Sequence, residues 1–281
     1  MPTLATNPHV MPASDYHAIE ALSASGIKQL LRSPLHYRTW RDTPKQPTDA
    51  MKFGTVFHAA LLEPHTLDSV CVALPEEVPD GRTTVGKEFR KQFAAQSVGR
   101  IVITHAQRVS IDAMVDSVAQ HDTAYGLLSG PLLVEPTLLW QEPIIHDSLS
   151  RFPAKARLDA LAKDFAFILD VKTTVDASKE SFARTIWNYR YDIQAAWYLD
   201  AVTTTLDVMP HSYLWLAIES EPPYACALYR ADRSILDRAA HDIRKATAQY
   251  VACIDSGTWR GYSEGIEPIT LPRYAQIVKD Y

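Results

Sequence analysis

Apolar residues recur at helical spacing in several parts of the chain and alternate, or run together, in others. In residues 26–40, Ile27, Leu30 and Leu31 mark one helical face, Ser23 and Ser25 precede it as N-cap candidates, and Pro34 breaks or restarts the helix. A polar, proline-containing link over 42–49 leads to a second helix over 50–62, ended by Glu63-Pro64. Residues 87–93 are helical in period within a polar stretch, and 106–119 predicts another helix. Three strands follow, at 137–145, 152–161 and 165–172; the last is a buried apolar run that turns polar only at its end. A long helix is expected over 178–204, strands over 212–219 and 224–230, and a helix over 233–254.

This order implies an α/β architecture, a small mixed β-sheet flanked by helices. Short links make antiparallel pairs of 137–145 with 152–161 and of 152–161 with 165–172. Residues 21–260 read as a single domain, with a loosely ordered N-terminus over 1–20 and a C-terminal tail over 261–281. A chain of 281 residues, 47% hydrophobic, can bury a substantial core. The formal net charge of −5 weighs mildly against nucleic acid as a partner, although local basic patches can override a net charge. Cys71, Cys226 and Cys253 are too few and too scattered for a zinc or all-cysteine iron–sulfur site, and read as free thiols. With no basic-then-apolar leader and no run of about 20 apolar residues, a soluble cytoplasmic protein without membrane partners is expected.

The chemistry gathers at the strand ends. Asp170 and Lys172 flank Val171, so period-2 alternation puts both on one face and Val171 on the other. Asp159, late in the preceding strand, can approach that face if the strands pair. Two carboxylates in one cleft suit a hard divalent cation, and a lysine beside it can stabilise a developing phosphorane charge. An ordinary salt-bridged strand end would look the same over these three residues alone. Beyond them, Gln194 and Tyr198 stand four apart on one helical face, and His58 lies on a helix one turn after Gly54. A buried histidine and tyrosine that simply find hydrogen-bond partners would look alike too.

As an ordered set, His58, Glu135, Asp159, Asp170-x-Lys172 and Gln194-x-x-x-Tyr198 resemble the motifs of RecB-type PD-(D/E)XK nucleases. Residues 22–37, 54–64, 82–88 and 170–174 most resemble the exonuclease VIII (RecE) family C-terminal nuclease domain, over about residues 16–230. The resemblance implies a PD-(D/E)XK nuclease core and a Mg²⁺-dependent exonuclease, with Mn²⁺ able to substitute and two ions bound. It implies digestion of one strand of duplex DNA from a free 5′ end, leaving 3′ single strands for a cognate single-strand annealing protein in recombination. It further implies a ring-shaped homo-oligomer, trimer or tetramer, of bacterial or phage origin. The chain lacks the long N-terminal extension of some relatives, which suggests a free-standing nuclease.

Carried over by position, Asp159, Asp170 and the Val171 carbonyl would ligate metal, with His58 at or near the second ion. Glu135 would be a further ligand, with Glu142 competing for that place. Lys172 would be the catalytic lysine, and Gln194 and Tyr198 would position it or the phosphate. Ser23 and Ser25, with Lys28 or Arg32, would hold a terminal 5′-phosphate, or would serve only as helix caps. Gly81 to Lys87 fits G-x-x-x-x-G-K, but Glu88 stands where a nucleotide loop has Ser or Thr; Arg82, Lys87, Arg90 and Lys91 there would guide DNA or form a solvated charged face. A structure-specific or restriction-type endonuclease, or an inactive DNA-binding protein, could use the same fold.

Overall fold

The computed structural model describes residues 8–44, 46–144 and 147–271. The elements of the first half are β1 (His9–Val10), α1 (Ala13–Ala18), α2 (Ala24–Leu30), α3 (Pro34–Asp42), α4 (Asp49–Leu62), α5 (Leu67–Val70), β2 (Cys71–Ala73), α6 (Thr84–Gln96), β3 (Ile101–Ile103), α7 (His105–Ala119) and α8 (Asp122–Leu128). Then follow β4 (Leu132–Val134), β5 (Pro136–Ile144), β6 (Asp147–Arg157), β7 (Ala160–Ala162), β8 (Phe167–Thr174), α9 (Lys179–Tyr189), α10 (Tyr191–Leu206), β9 (Ser212–Glu219), β10 (Cys226–Arg230) and α11 (Arg233–Ser256).

A five-stranded mixed sheet, ordered β10-β9-β8-β7-β4, divides the molecule into layers. Its two central strands, β8 and β9, are parallel, which requires the crossover that α9 and α10 provide. Alternation along these strands serves two cores. Ile168, Tyr213, Trp215 and Ala217 pack toward α9, α10 and α11. Leu169, Val171, Leu216 and Ile218 pack toward α4 and α7. Burial on both faces explains why residues 167–171 read as a nearly unbroken apolar run.

The mixed sheet and the antiparallel pairs β5–β6 and β7–β8 agree with the sequence reading. Several details differ. The expected strand over 152–161 is two strands: β6 ends at Arg157, and β7 begins at Ala160 in a different sheet. Instead of one sheet the described residues form three, the others being β1-β5-β6 and the parallel pair β2-β3. The long helix expected over 178–204 is broken at Arg190, which adopts a left-handed backbone (φ 54°) and turns the chain between α9 and α10. That corner is held by the Arg190 guanidinium, which meets buried Asp192 at 2.9 Å and buried Asp242, from α11, at 2.7 Å. Apolar period continues across the break, so periodicity could not reveal it.

Residues 8–20 are not loose. β1 pairs with β5, and α1 buries Tyr16. The clasp is the buried Lys155 on β6, whose ammonium donates to the carbonyls of Tyr16 (2.8 Å) and Ile19 (2.7 Å). Residues 1–7 and 272–281, and the Ile145 end of the expected strand over 137–145, lie outside the described residues. The described part of the expected tail, 261–271, forms neither helix nor strand.

Two charge-assisted bonds into a buried carbonyl pair are worth about 1.5–3 kcal/mol each. Lys155→Met is therefore expected to lower hydrogen-exchange protection at Ile19 at least tenfold while amides of β8 and β9 keep theirs. Unchanged protection at Ile19 would mean that α1 is held by other contacts.

Candidate active site

The site forms where β7 stops accompanying β8. Register pairs Ala160 with Leu169, and the chain before Ala160 turns away, so the backbone of Val171 has no strand neighbour on that side. Side chains take the place of the missing strand. The Val171 N–H donates to Asp159 Oδ2 at 2.8 Å, and the Val171 carbonyl accepts from His58 Nε2 at 3.0 Å. A carbonyl can only accept, so Nε2 carries a proton; the other ring nitrogen lies 3.7 Å from Asp159 Oδ2. Asp159 thus sits between two strands and reaches the sheet edge, not a position on the strand's face as expected from the sequence.

On the α10 side of β8, Asp170 and Lys172 share a face as the alternation predicts. Asp170 is 0% exposed. Its Oδ2 lies 2.5 Å from the Lys172 ammonium, and Gln194 on α10 donates to Oδ1 at 2.9 Å, fixing the plane of the carboxylate. Burial lifts the Asp170 carboxyl above its ordinary range, against the pull of Lys172. Burial pushes Lys172 down, but the Asp170 and Asp159 carboxylates more than restore it, and its ammonium is held above the ordinary lysine range. The buried Tyr198 hydroxyl bonds to Gln194 and stays protonated, raised by burial, so Gln194 and Tyr198 form a rank behind the carboxylate.

Glu135, in a left-handed turn (φ 53°), is tied to this end of the sheet: its N–H donates to the Asp159 carbonyl at 3.0 Å, and its carboxylate pairs with Arg157. Glu142 lies seven residues further on, near the far end of the β5–β6 pair, where Trp140 Nε1 donates to it at 2.6 Å. Burial raises the Glu142 carboxyl to about 7. Of the two acidic candidates, Glu135 is the one beside Asp159.

Two residues join the site that the motif pattern missed. The Tyr191 ring lies 5.0 Å from the Lys172 ammonium and 5.3 Å from that of Lys28 on α2, so one aromatic ring carries two cations. Its spacing three residues before Gln194, on the same helical face, was the available signal. Arg157, two residues before Asp159, is the other. Lys28 comes to the site as its sequence position suggested. Burial, then the charge of Lys172, lowers its ammonium to about 8.

The remaining DNA-binding candidates have local partners or are exposed. The Ser23 hydroxyl accepts from the Gly26 N–H at 3.3 Å and acts as a cap; Ser25 is exposed on the first turn of α2. Arg32 donates to Gln29 at 3.1 Å and lines a groove with Leu35, His36 and Trp40. Arg82 pairs with Asp80, and Lys87, Arg90 and Lys91 are exposed on or beside α6. The second glycine of G-x-x-x-x-G-K is explained by packing: a Cβ on Gly86 would collide with the Asp80 carbonyl, and Thr83 caps the helix there.

The donor set suits a hard divalent cation: the Asp159 and Asp170 carboxylates, the Val171 carbonyl, and the His58 imidazole beside them. Asp170 Oδ2 already meets the Lys172 ammonium, so an ion there would share this carboxylate with the lysine. Among the described residues, no three His, Cys, Asp or Glu side chains already stand close enough to enclose an ion. No helix among them is long and apolar enough to cross a membrane.

Residues 23–272 match the family described as a PDDEXK-like domain of unknown function, DUF3799. The chain belongs to that family. This PDDEXK-like chain is similar in fold to the crystal structure of a candidate exonuclease from Eubacterium rectale, with a TM-score of 0.60, 12% identity, and 93% of this chain and 97% of that one covered. A phage-related exonuclease from Haemophilus somnus 129PT matches at a TM-score of 0.35 and 11% identity, over 88% of this chain and 100% of that one. Among curated proteins there is no significant match. The PD-(D/E)XK recognition and the α/β fold class read from the sequence are borne out.

The lowered Lys28 ammonium gives a test of this geometry. Between about pH 8 and the ordinary lysine range, the unfolded chain holds this proton and the folded chain does not, so the cost of burying charged Lys28, full below that window, is relieved as pH rises through it. Observed by NMR, Lys28 should titrate near pH 8, and Lys172→Met should move it upward by removing the neighbouring charge. A Lys28 titration indifferent to Lys172 would separate the two residues.

Proposed function

We propose that this chain is a divalent-metal-dependent DNA nuclease, with an exonuclease acting on duplex ends as the first reading. The observation that carries it is the convergence on one interrupted sheet edge of Asp159, Asp170, Lys172, the Val171 carbonyl and His58. A structural salt bridge needs neither a second carboxylate nor an imidazole at the same peptide.

In this reading Asp159, Asp170 and the Val171 carbonyl hold Mg²⁺ or Mn²⁺, with His58 and Glu135 serving a second ion. An ion held by these residues would supply Lewis acidity toward the phosphate and toward a water. Lys172 then has two tasks. It balances buried Asp170, and it presents a positive charge where the phosphoryl oxygens gain negative charge. Gln194 holds the Asp170 carboxylate plane, and Tyr198 holds Gln194, so the reacting groups need little reorganisation. Lys28 and Tyr191 lie beside Lys172, where a neighbouring phosphate of the bound strand would pass.

The resemblance to the exonuclease VIII (RecE) family supports the finer reading: digestion of one strand from 5′ ends, 3′ single strands delivered to an annealing protein, and a ring-shaped homo-oligomer. Lys87, Arg90 and Lys91 on α6, with Arg82 just before it, would then guide duplex DNA.

Lys172→Ala is expected to lower cleavage of linear duplex by about 10²-fold or more, because a charged transition-state stabiliser is lost. Asp159→Asn and Asp170→Asn are expected to weaken Mn²⁺ binding in calorimetric titration, a neutral amide being the poorer ligand for a hard dication. Normal turnover by the lysine variant together with normal Mn²⁺ binding by both others would place any active site elsewhere.

Linear duplex and covalently closed circles of one sequence separate the readings. The exonuclease reading expects Mg²⁺-dependent loss of the linear form with circles intact. Nicked or linearised circles would establish an endonuclease, and DNA binding without cleavage an inactive binding protein.

A further inference from the structure

The corner between α9 and α10 carries Trp187, Tyr189, Arg190 and Tyr191 in close succession. Tyr191 turns inward to the two lysines. Tyr189 does not: it is 64% exposed, yet its ring stacks on that of Tyr191, with centroids 5.7 Å apart and planes inclined by 19°. One face of Tyr189 is covered by Tyr191, and the other is open to solvent. Trp187, two residues earlier on α9 and 54% exposed, has the guanidinium of Arg190 at 5.1 Å from its ring and that of Arg238 at 5.8 Å.

The stack therefore runs from the Lys172 ammonium, through Tyr191, to an outward-facing aromatic plane, with Lys28 against the same inner ring. Large aromatics left in water have lost the burial that usually accounts for them. Interleaved with cations and continuous with a phosphate-handling site, such planes suit the π-faces of nucleobases, with the cations meeting the backbone between them.

We infer that Tyr189 is a base-stacking platform, receiving an unpaired nucleobase of the DNA strand whose phosphate lies at Lys172. The base must be unpaired, since a paired base inside a duplex has both faces covered by its neighbours. The inference rests on the nuclease reading for the position of the scissile phosphate, and adds that the nucleotide beside that phosphate is out of the duplex when bound.

The test compares a single-stranded oligonucleotide with an abasic oligomer of equal length and charge, using Ca²⁺ in place of Mg²⁺ to limit cleavage. Wild type should bind the base-bearing strand about tenfold more tightly than the abasic one. Tyr189→Ala should abolish that preference, Tyr189→Phe should keep it, and all three proteins should bind the abasic strand alike. A 2-aminopurine in the strand should be quenched by wild type and by the phenylalanine variant, but not by the alanine variant. If wild type shows no base preference, or Tyr189→Ala retains it, the platform is overturned. Wild-type cleavage of linear duplex in Mg²⁺ is scored separately. A protein that cleaves without base preference loses only the platform, and one that prefers bases without cleaving loses only the nuclease reading.

Discussion

Everything at this site depends on the backbone of one residue, Val171, whose N–H and C=O face the side of β8 that no strand covers. Once β7 turns away, the Val171 N–H and C=O would each be left in the protein interior without a partner, at a cost of a few kcal/mol. Asp159 and His58 supply the partners. A sheet-edge repair thereby brings a carboxylate and an imidazole to the same edge as Asp170 and Lys172. Structural need and chemical opportunity coincide at that residue.

The second constraint is electrostatic. Asp170 is fully buried, and Lys172 is nearly so, between two cores that are otherwise apolar. Neither charge could remain there alone; together, and with Gln194 on the remaining oxygen, they are held in fixed positions. Around this pair the positive side is extended by Lys28 across the Tyr191 ring, and the negative side by Asp159. A chain of net charge −5 can in this way still gather cations at one end of its sheet, so overall charge does not describe this site.

The sequence disclosed those parts of the fold whose pattern is local. The β8 run, the Asp170–Lys172 alternation, the β9 strand and the helices α4, α7 and α11 follow directly from period and caps. The parts it concealed depend on tertiary partners. Residues 152–162 carry one continuous apolar pattern, although Leu158 and Asp159 separate strands of two sheets. The Arg190 corner interrupts no pattern, because its determinant is a pair of carboxylates, one of them 52 residues away. Similarly, the order of α1 rests on Lys155, a residue that reads as solvent-exposed until its two carbonyl partners are seen. Within the site, Lys172, Asp170 and Gln194 stood out by spacing, whereas the role of Tyr191 needed the two lysines that meet its ring.

The contact between His58 and Val171 spans 113 residues of chain, while Asp170 and Lys172 are two apart. The two halves of the site must therefore mature differently as the chain folds. The charge pair belongs to the β8–β9 crossover unit, whose strands and helices are contiguous in sequence. The imidazole arrives only when α4 has docked on the other face of the sheet, a long loop closure that is paid for late. With α4 undocked, the lysine and its carboxylate would still share β8, but the Val171 carbonyl would lose its imidazole. The complete constellation therefore exists only where both cores have closed on the sheet.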